Sequence, residues 1–171
     1  MGWLGKQKWR LPLTLGWAVS QAAWALPTQT FQVTASIVAG CVVSGTSPGV
    51  FGTLNFGSWS GVETRTVNAS FVQNSGLTLA CTPGTTLNMS INGGTNYTST
   101  RNLKVANNTN LVAYRLYNSA SYTTEIPVNQ NVGITYSNAN NIVLPIYGRL
   151  QLTGPTRAGT YTDTLTVTLS W

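Results

Sequence analysis

Short β-type runs separated by turn residues make up the chain after residue 25, and they limit what it can fold into. The clearest runs are rich in Val, Ile, Leu, Thr and Tyr, and they lie at 77–81, 86–92, 111–117, 142–152 and 161–171. Between them, stretches such as 81–86 and 153–160 contain Gly, Pro and Thr, a composition typical of turns. Short strands about ten residues apart, without long amphipathic helix patterns, predict an antiparallel sandwich or barrel. We therefore predict a single all-β domain.

Apolar and polar residues alternate most regularly in two segments, one at each end of this region. Near the end of the sequence, alternate residues are apolar: Leu165, Val167, Leu169 and Trp171. Near its start, a second apolar set alternates with Gln32, Thr34 and Ser36: Phe31, Val33, Ala35 and Ile37. This period of two is the pattern of a strand with one buried face. By itself, the pattern at 31–38 fits the first strand of the protein's own sandwich.

The first 25 residues read as a secretory signal peptide. A basic region with Lys6, Lys8 and Arg10 precedes a short apolar stretch at 11–19, and Ala23-Trp24-Ala25 forms an A-x-A cleavage signal. The apolar stretch is shorter than the ~20 residues that a membrane-spanning helix needs. The alternative is a buried N-terminal helix.

Cysteine and charge content suit an exported protein. Cys41 and Cys81 are the two cysteines, and an even pair in an exported chain predicts one disulfide. The sequence contains no histidine, so two cysteines make a poor zinc site, and we expect no metal. The basic residues outside the leader are single and scattered, whereas nucleic-acid binding favours a clustered basic stripe. We expect no nucleic-acid partner.

Catalytic motifs are missing from the sequence. Without histidine there is no ordinary base for a Ser or Cys triad, and the carboxylates are only Glu63, Glu125 and Asp163. We therefore predict no catalytic residue, cofactor or small-molecule substrate. Several aromatic residues could instead form a sugar-binding platform, although aromatics at strand positions more often belong to a core: Trp59, Tyr97, Tyr114, Tyr117 and Tyr122.

Five blocks of sequence resemble the spore coat protein U domain family, which includes subunits of archaic (Csu-type) chaperone–usher pili. In chain order the blocks are FGTLNFG (51–57), LACTPGTT (79–86), YRLYNSASYTT (114–124), IYGRL (146–150) and RAGTYTDTLTVTLSW (157–171). The last block is the most specific, and the resemblance runs from about Phe31 to Trp171. The chain departs from the family pattern by ending on Trp171, where Tyr or Phe is frequent.

The resemblance implies an incomplete immunoglobulin-like β-sandwich that is completed by a donor strand from another chain. Residues 26–40 would form the N-terminal donor-strand extension, and 41–171 the pilin domain. The donor face would consist of Phe31, Val33, Ala35 and Ile37. The implied partners are a periplasmic pilus chaperone, an outer-membrane usher and neighbouring pilin subunits. The implied location is the surface of a Gram-negative bacterium, reached through the periplasm, with adhesion and biofilm formation as the purpose.

Two other functions remain open from the sequence. A terminal strand that ends on an aromatic residue is also found in small outer-membrane β-barrels, although several runs here are shorter than the roughly 9–11 residues that such strands need. A secreted carbohydrate-binding β-sandwich is the second alternative.

Overall fold

The computed structural model describes residues 31–45 and 50–171, so the predicted signal peptide lies outside the described residues. The chain divides into two units, Met1–Ser36 and Ile37–Trp171. Of the first unit, residues 31–36 are described, and they are exposed and have no regular secondary structure. The second unit contains all the strands found in the described residues.

These strands are, in chain order, β1 (Cys41–Gly45), β2 (Gly52–Leu54), β3 (Thr66–Gln73), β4 (Leu77–Cys81), β5 (Leu87–Ile91), β6 (Arg101–Val105), β7 (Leu111–Tyr117), β8 (Val132–Ile134), β9 (Tyr147–Gln151), β10 (Tyr161–Thr162) and β11 (Val167–Ser170). They form a six-stranded sheet of order β10-β6-β7-β9-β3-β2, a three-stranded sheet of order β11-β5-β8, and the pair β1-β4. Every pairing between these strands is antiparallel. The predicted all-β fold is confirmed, and no helix in the described part of the chain is long and apolar enough to cross a membrane.

The core lies between the sheets, where strand alternation directs apolar side chains inward. In β5, Leu87, Met89 and Ile91 are buried, whereas the intervening Asn88 and Ser90 are half-buried. The same alternation buries residues of the six-stranded sheet: Val67, Ala69, Tyr114, Leu116 and Leu150. Since one face of each sheet is polar and the other apolar, the sheets pack as a sandwich around a shared core.

The predicted disulfide joins Cys41 to Cys81. The two residues are direct partners in the β1–β4 register, and their Cα atoms are 4.0 Å apart. The bond therefore fastens the first strand of the domain to the rest of the sandwich.

Two predicted runs form shorter strands than their sequences indicate. In 142–152 the strand begins only at Tyr147, because Pro145 cannot donate a ladder hydrogen bond. The start of the run bonds to a different strand, since the Ile142 N–H donates to the Leu79 carbonyl of β4 at 2.8 Å. Next to β9, the Ile146 carbonyl still accepts from the Phe71 N–H of β3 at 2.9 Å. The run 161–171 divides between β10, which joins the six-stranded sheet, and β11, which joins the three-stranded sheet.

A buried arginine connects β6 to the opposite side of the core. The Arg101 side chain is 2% exposed, and its guanidinium donates to the carbonyls of Ile91, Asn92, Ile126 and Pro127 at 2.9–3.3 Å. Burial lowers its pKa. All four acceptors are backbone oxygens, so this cation has a structural role in holding the segment after β7 against β5.

Candidate functional site: an apolar groove with open strand edges

An apolar groove of about 660 Å³ opens between β2 and the segment that leads into β11. Its volume is within the roughly 300–1,000 Å³ that is usual for binding clefts. Large apolar side chains line it, among them Phe51, Leu54, Phe56, Phe71, Leu165, Val167 and Leu169. These side chains are only half-buried although they pack against the fully buried core. The core is therefore open to solvent along the groove.

One side of the groove is the unpaired edge of β11. The Asn92 N–H donates to the Thr166 carbonyl at 3.1 Å, and the Thr166 N–H donates to Asn92 Oδ1 at 2.9 Å, so the backbone of Thr166 points toward β5. Backbone groups in a strand alternate in direction, which turns the N–H and C=O groups of Leu165, Val167 and Leu169 toward the opposite edge. In the described part of the chain, no strand pairs with that edge.

The other side of the groove contains the open edge of β2. The Asn74 N–H donates to the Phe51 carbonyl at 2.9 Å, which directs the backbone of Phe51 toward β3. By the same alternation, Gly52 and Leu54 present their backbone groups to the free edge. β2 is the last strand of the six-stranded sheet as described. Edges of this kind are templates for another strand.

A glycine makes room for the bulky side chains of the groove. Gly148 lies in β9, beneath Leu54 and Phe56. A Cβ atom at this position would lie 2.7 Å from Leu54 Cδ2 and 2.7 Å from Phe56 Cζ. Because Gly148 has no side chain, Leu54 and Phe56 can lie flat against the six-stranded sheet and form part of the groove wall.

A carboxylate at the start of the β11 edge fixes the end of the groove. Asp163 Oδ1 accepts hydrogen bonds from the N–H and hydroxyl of Thr95 and from the N–H and side-chain amide of Asn96, at 2.9–3.2 Å. Asp163 Oδ2 accepts from the Tyr114 hydroxyl at 2.8 Å. Burial raises the pKa of the Tyr114 phenol well above its usual range, and the bond to Asp163 adds to the rise. These bonds join the loop between β5 and β6, strand β7 and the segment that follows β10.

The residues predicted as the donor face lie in solvent. Phe31, Val33 and Ile37 are 84%, 82% and 88% exposed, and Ala35 is exposed as well. No strand is formed over residues 31–40, despite the period-two pattern. Exposed side chains of this size forgo most of the free energy that their burial would provide. The donor role of this segment stays a prediction.

The aromatic residues considered as a sugar platform do not form one group. Tyr114 is in the core and lines the groove, whereas Trp59 and Tyr97 are 42% and 45% exposed. Tyr117 and Tyr122 do pack together, with ring centroids 5.5 Å apart.

Sequence reasoning missed most of the groove wall. Phe51, Leu54 and Phe56 were noted only as parts of a family motif, and Phe71 was not singled out. The spacing of large apolar residues in FGTLNFG was the available signal, but it does not reveal which strand edge stays free. In the described residues, no group of three or more His, Cys, Asp or Glu side chains could hold a metal ion.

Fold and groove together define a β-sandwich domain in which, within the described ranges 31–45 and 50–171, two strand edges along an opening in the core are unpaired. The chain belongs to the Spore Coat Protein U domain family, whose sequence model matches residues 27–168. No curated protein sequence matches the chain.

Two solved structures are similar in part. One is the crystal structure of the CsuC–CsuE chaperone–tip adhesion subunit pre-assembly complex from archaic chaperone-usher Csu pili of Acinetobacter baumannii, at 17% identity and a TM-score of 0.47. The match covers 79% of this chain and 40% of that one. The other is a chaperone–tip adhesin complex of CFA/I fimbriae biogenesis, at 19% identity and a TM-score of 0.37. This match covers 76% of this chain and 41% of that one. The chain thus spans about two fifths of either structure's chain, and we draw no functional argument from these two likenesses.

Proposed function

We propose that this protein is a structural subunit of a chaperone–usher surface pilus and polymerises by donor-strand complementation. In this proposal residues 1–25 are the signal peptide, 26–40 the donor-strand extension and 41–171 the pilin domain. The observation that carries the proposal is the groove, where half-buried apolar side chains lie beside strand edges with unpaired backbone groups. Membership of the Spore Coat Protein U domain family supports it.

The occupant we propose for the groove is the extension of a neighbouring subunit. Among the described residues that line the groove, Asp163 is the one with a charge, and its carboxylate already accepts five hydrogen bonds. Residues 26–40 contain no charged side chain, so neither surface would bury an unpaired charge. Alternate apolar residues of the extension would enter the groove while its backbone pairs with the open β11 edge, as in other cases of strand addition.

Burial of the apolar side chains of the extension would favour assembly. Full burial of Phe31, Val33 and Ile37 at ~1.5–3 kcal/mol each amounts to roughly 5–9 kcal/mol, before ladder hydrogen bonds are counted. A head-to-tail contact of this kind does not close on itself, so it produces a fibre. Until a neighbour arrives, the open groove needs a periplasmic chaperone to cover it and an outer-membrane usher to release it. The product would be a pilus on the surface of a Gram-negative bacterium, with a role in adhesion and biofilm formation and without enzymatic activity.

Charge substitutions on the two faces of the extension test the proposal. Val33→Asp or Ile37→Asp would place a charge in an apolar groove and should stop fibre assembly, because an unpaired buried charge is very costly. Thr34→Asp, on the other face, is the matched control, and its effect on fibre assembly should be far smaller. Deletion of 31–38 should likewise stop fibres and leave the chaperone complex intact.

The measurement is the yield of the chaperone complex, alongside surface fibres, for each variant. If Val33→Asp abolishes the chaperone complex as thoroughly as the fibres, the segment is an ordinary core strand and the proposal is wrong. Production without a chaperone separates the proposal from a secreted carbohydrate-binding sandwich: a pilin subunit should aggregate or be degraded, whereas that module should accumulate as a stable monomer.

A further inference from the structure

Two arginines lie directly opposite each other on the outer face of the six-stranded sheet. Arg115 in β7 and Arg149 in β9 are register partners, and both alternate with the inward-facing Tyr114, Leu116 and Leu150. Like charges directly across a sheet are destabilising, so each cation needs compensation. Arg115 obtains it from Glu125, since its Nη1 lies 2.6 Å from Glu125 Oε2.

Among the residues that the structure describes, Arg149 is compensated by two aromatic rings and one amide. Its guanidinium carbon lies 4.5 Å from the Tyr122 ring centroid and 5.4 Å from that of Tyr117. Its Nε donates to Asn68 Oδ1 at 3.4 Å, and in the described residues its Nη1 and Nη2 groups make no hydrogen bond and no ion pair. The outer edge of this guanidinium therefore has free donors in the fork arrangement that binds a carboxylate.

Two tyrosine rings lie against this guanidinium, and a third tyrosine packs on one of them. Tyr122 packs edge-to-face against both Tyr117 and Tyr147, with ring centroids 5.5 and 6.2 Å apart. The rings of Tyr122 and Tyr147 are half-buried, so part of each stays accessible. They provide rigid contact area that is apolar in the ring and polar at the hydroxyl.

The loop that presents Tyr122 is strained and carries hydroxyl groups. Tyr122 has φ of +54°, a conformation that is unusual for an aromatic residue and is concentrated at binding and catalytic sites. On either side of it, the hydroxyls of Ser119, Ser121 and Thr123 form a chain of hydrogen bonds at 2.8 and 3.0 Å. The loop is thus held with an aromatic ring beside Arg149 and with exposed hydroxyls next to the ring.

We propose that Arg149, Tyr122 and Tyr147 form a binding site for an acidic saccharide, a sugar unit that bears a carboxylate. The carboxylate would pair with the free edge of Arg149, the C–H face of the sugar would pack on the tyrosines, and its hydroxyls would bond to the Ser119–Thr123 loop. A neutral sugar would leave the cation unpaired, and a small carboxylate would leave the rings unused. The site lies on the face of β7 and β9 opposite to the groove, so it does not depend on the strand-exchange proposal.

Binding of tetragalacturonic acid to the exported chain, purified in its soluble chaperone complex, tests this site. Maltotetraose is the neutral probe, and sodium acetate at equal carboxylate concentration is the simple anion. Isothermal titration should show binding of the acidic oligosaccharide that is at least about tenfold tighter than that of either control. Arg149→Met and Tyr122→Asn should each weaken binding of the acidic oligosaccharide about tenfold or more. Arg149→Met removes the guanidinium fork. Tyr122→Asn removes the aromatic ring and keeps a residue that tolerates positive φ. Arg149→Lys, which keeps the charge without the fork, should also weaken binding.

The matched control is Arg65→Met. Arg65 also stacks on an aromatic ring, 4.4 Å from Trp59, but it has an acidic partner, Glu63, at 3.8 Å. This variant should bind as the unchanged protein does. Equal binding of the neutral oligosaccharide or of acetate, absence of binding, or the same loss in Arg65→Met would overturn the proposal. Melting temperatures report whether each variant is folded, and if Arg149→Met is not, Arg149→Lys carries the test.

Discussion

Alanine substitutions in the extension should weaken groove binding on one face of the segment only. Phe31 and Ile37 are 84% and 88% exposed, so nearly all of their burial free energy is still to be gained on docking. Truncation of either to Ala should cost about 2 kcal/mol of binding free energy, within the range for burial of one large apolar side chain. That cost corresponds to about 30-fold in affinity.

The double substitution should cost about 4 kcal/mol, or close to a thousandfold, since the two positions are far enough apart to act additively. The entropic cost of docking is common to all peptides of the same length and cancels in the comparison. Gln32→Ala and Thr34→Ala, on the polar face, should change affinity by less than about threefold.

Competition between peptides is a suitable assay. Unlabelled peptides of residues 28–40, with and without each substitution, compete with a fluorescent unchanged peptide for the groove of the chain supplied in its soluble chaperone complex. Fluorescence anisotropy gives the ratio of the competition midpoints. Equal losses for Phe31→Ala and Thr34→Ala would refute the argument, because a strand in a groove buries alternate residues. So would the absence of any loss at Phe31 and Ile37.

Three further outcomes concern the stability of the domain. Removal of the disulfide by Cys41→Ala with Cys81→Ala should lower the free energy of unfolding by about 4 kcal/mol, the loop-closure value for a separation of 40 residues, as measured by urea denaturation. Gly94→Ala should cost more than about 1 kcal/mol, because Gly94 has φ of +87° and an added Cβ would lie 2.1 Å from Asp163 Oδ2. Stability should also fall as pH rises above ~10: there the unfolded chain releases the Tyr114 proton at the ordinary tyrosine pKa, whereas the folded chain retains it.

Each of these outcomes has a control. Gly84→Ala should cost less than Gly94→Ala, since Gly84 has a similar φ of +82° but no atom within 4 Å of an added Cβ. Tyr114→Phe should flatten the alkaline loss of stability, and an unchanged slope would contradict the assignment to Tyr114. Reducing agent should destabilise the unchanged protein and leave the double alanine variant unaffected; equal sensitivity would contradict the role given to the disulfide.

Local patterns in the sequence were enough to predict an all-β domain and the disulfide. Alternation such as Leu165-Val167-Leu169 depends only on the period of a strand, and the turn residues mark where strands end. The disulfide could be predicted from the number of cysteines and the exported context alone, and Cys41 and Cys81 are bonded. Strand boundaries were predicted less accurately. In the run 142–152, the strand that pairs in the sheet covers only Tyr147–Gln151.

Only the tertiary structure decided where the core stays open. The free edge of β11 follows from its pairing with β5, in which Val167 is opposite Ile91, and the free edge of β2 follows from its pairing with β3. The sequence of each of these strands does not indicate which other strand it pairs with. Likewise, Tyr147 and Arg149 meet Tyr122 only because β7 and β9 are neighbours. An alternating pattern shows that a face is to be buried, but the contact that buries it is set by the arrangement of strands in space.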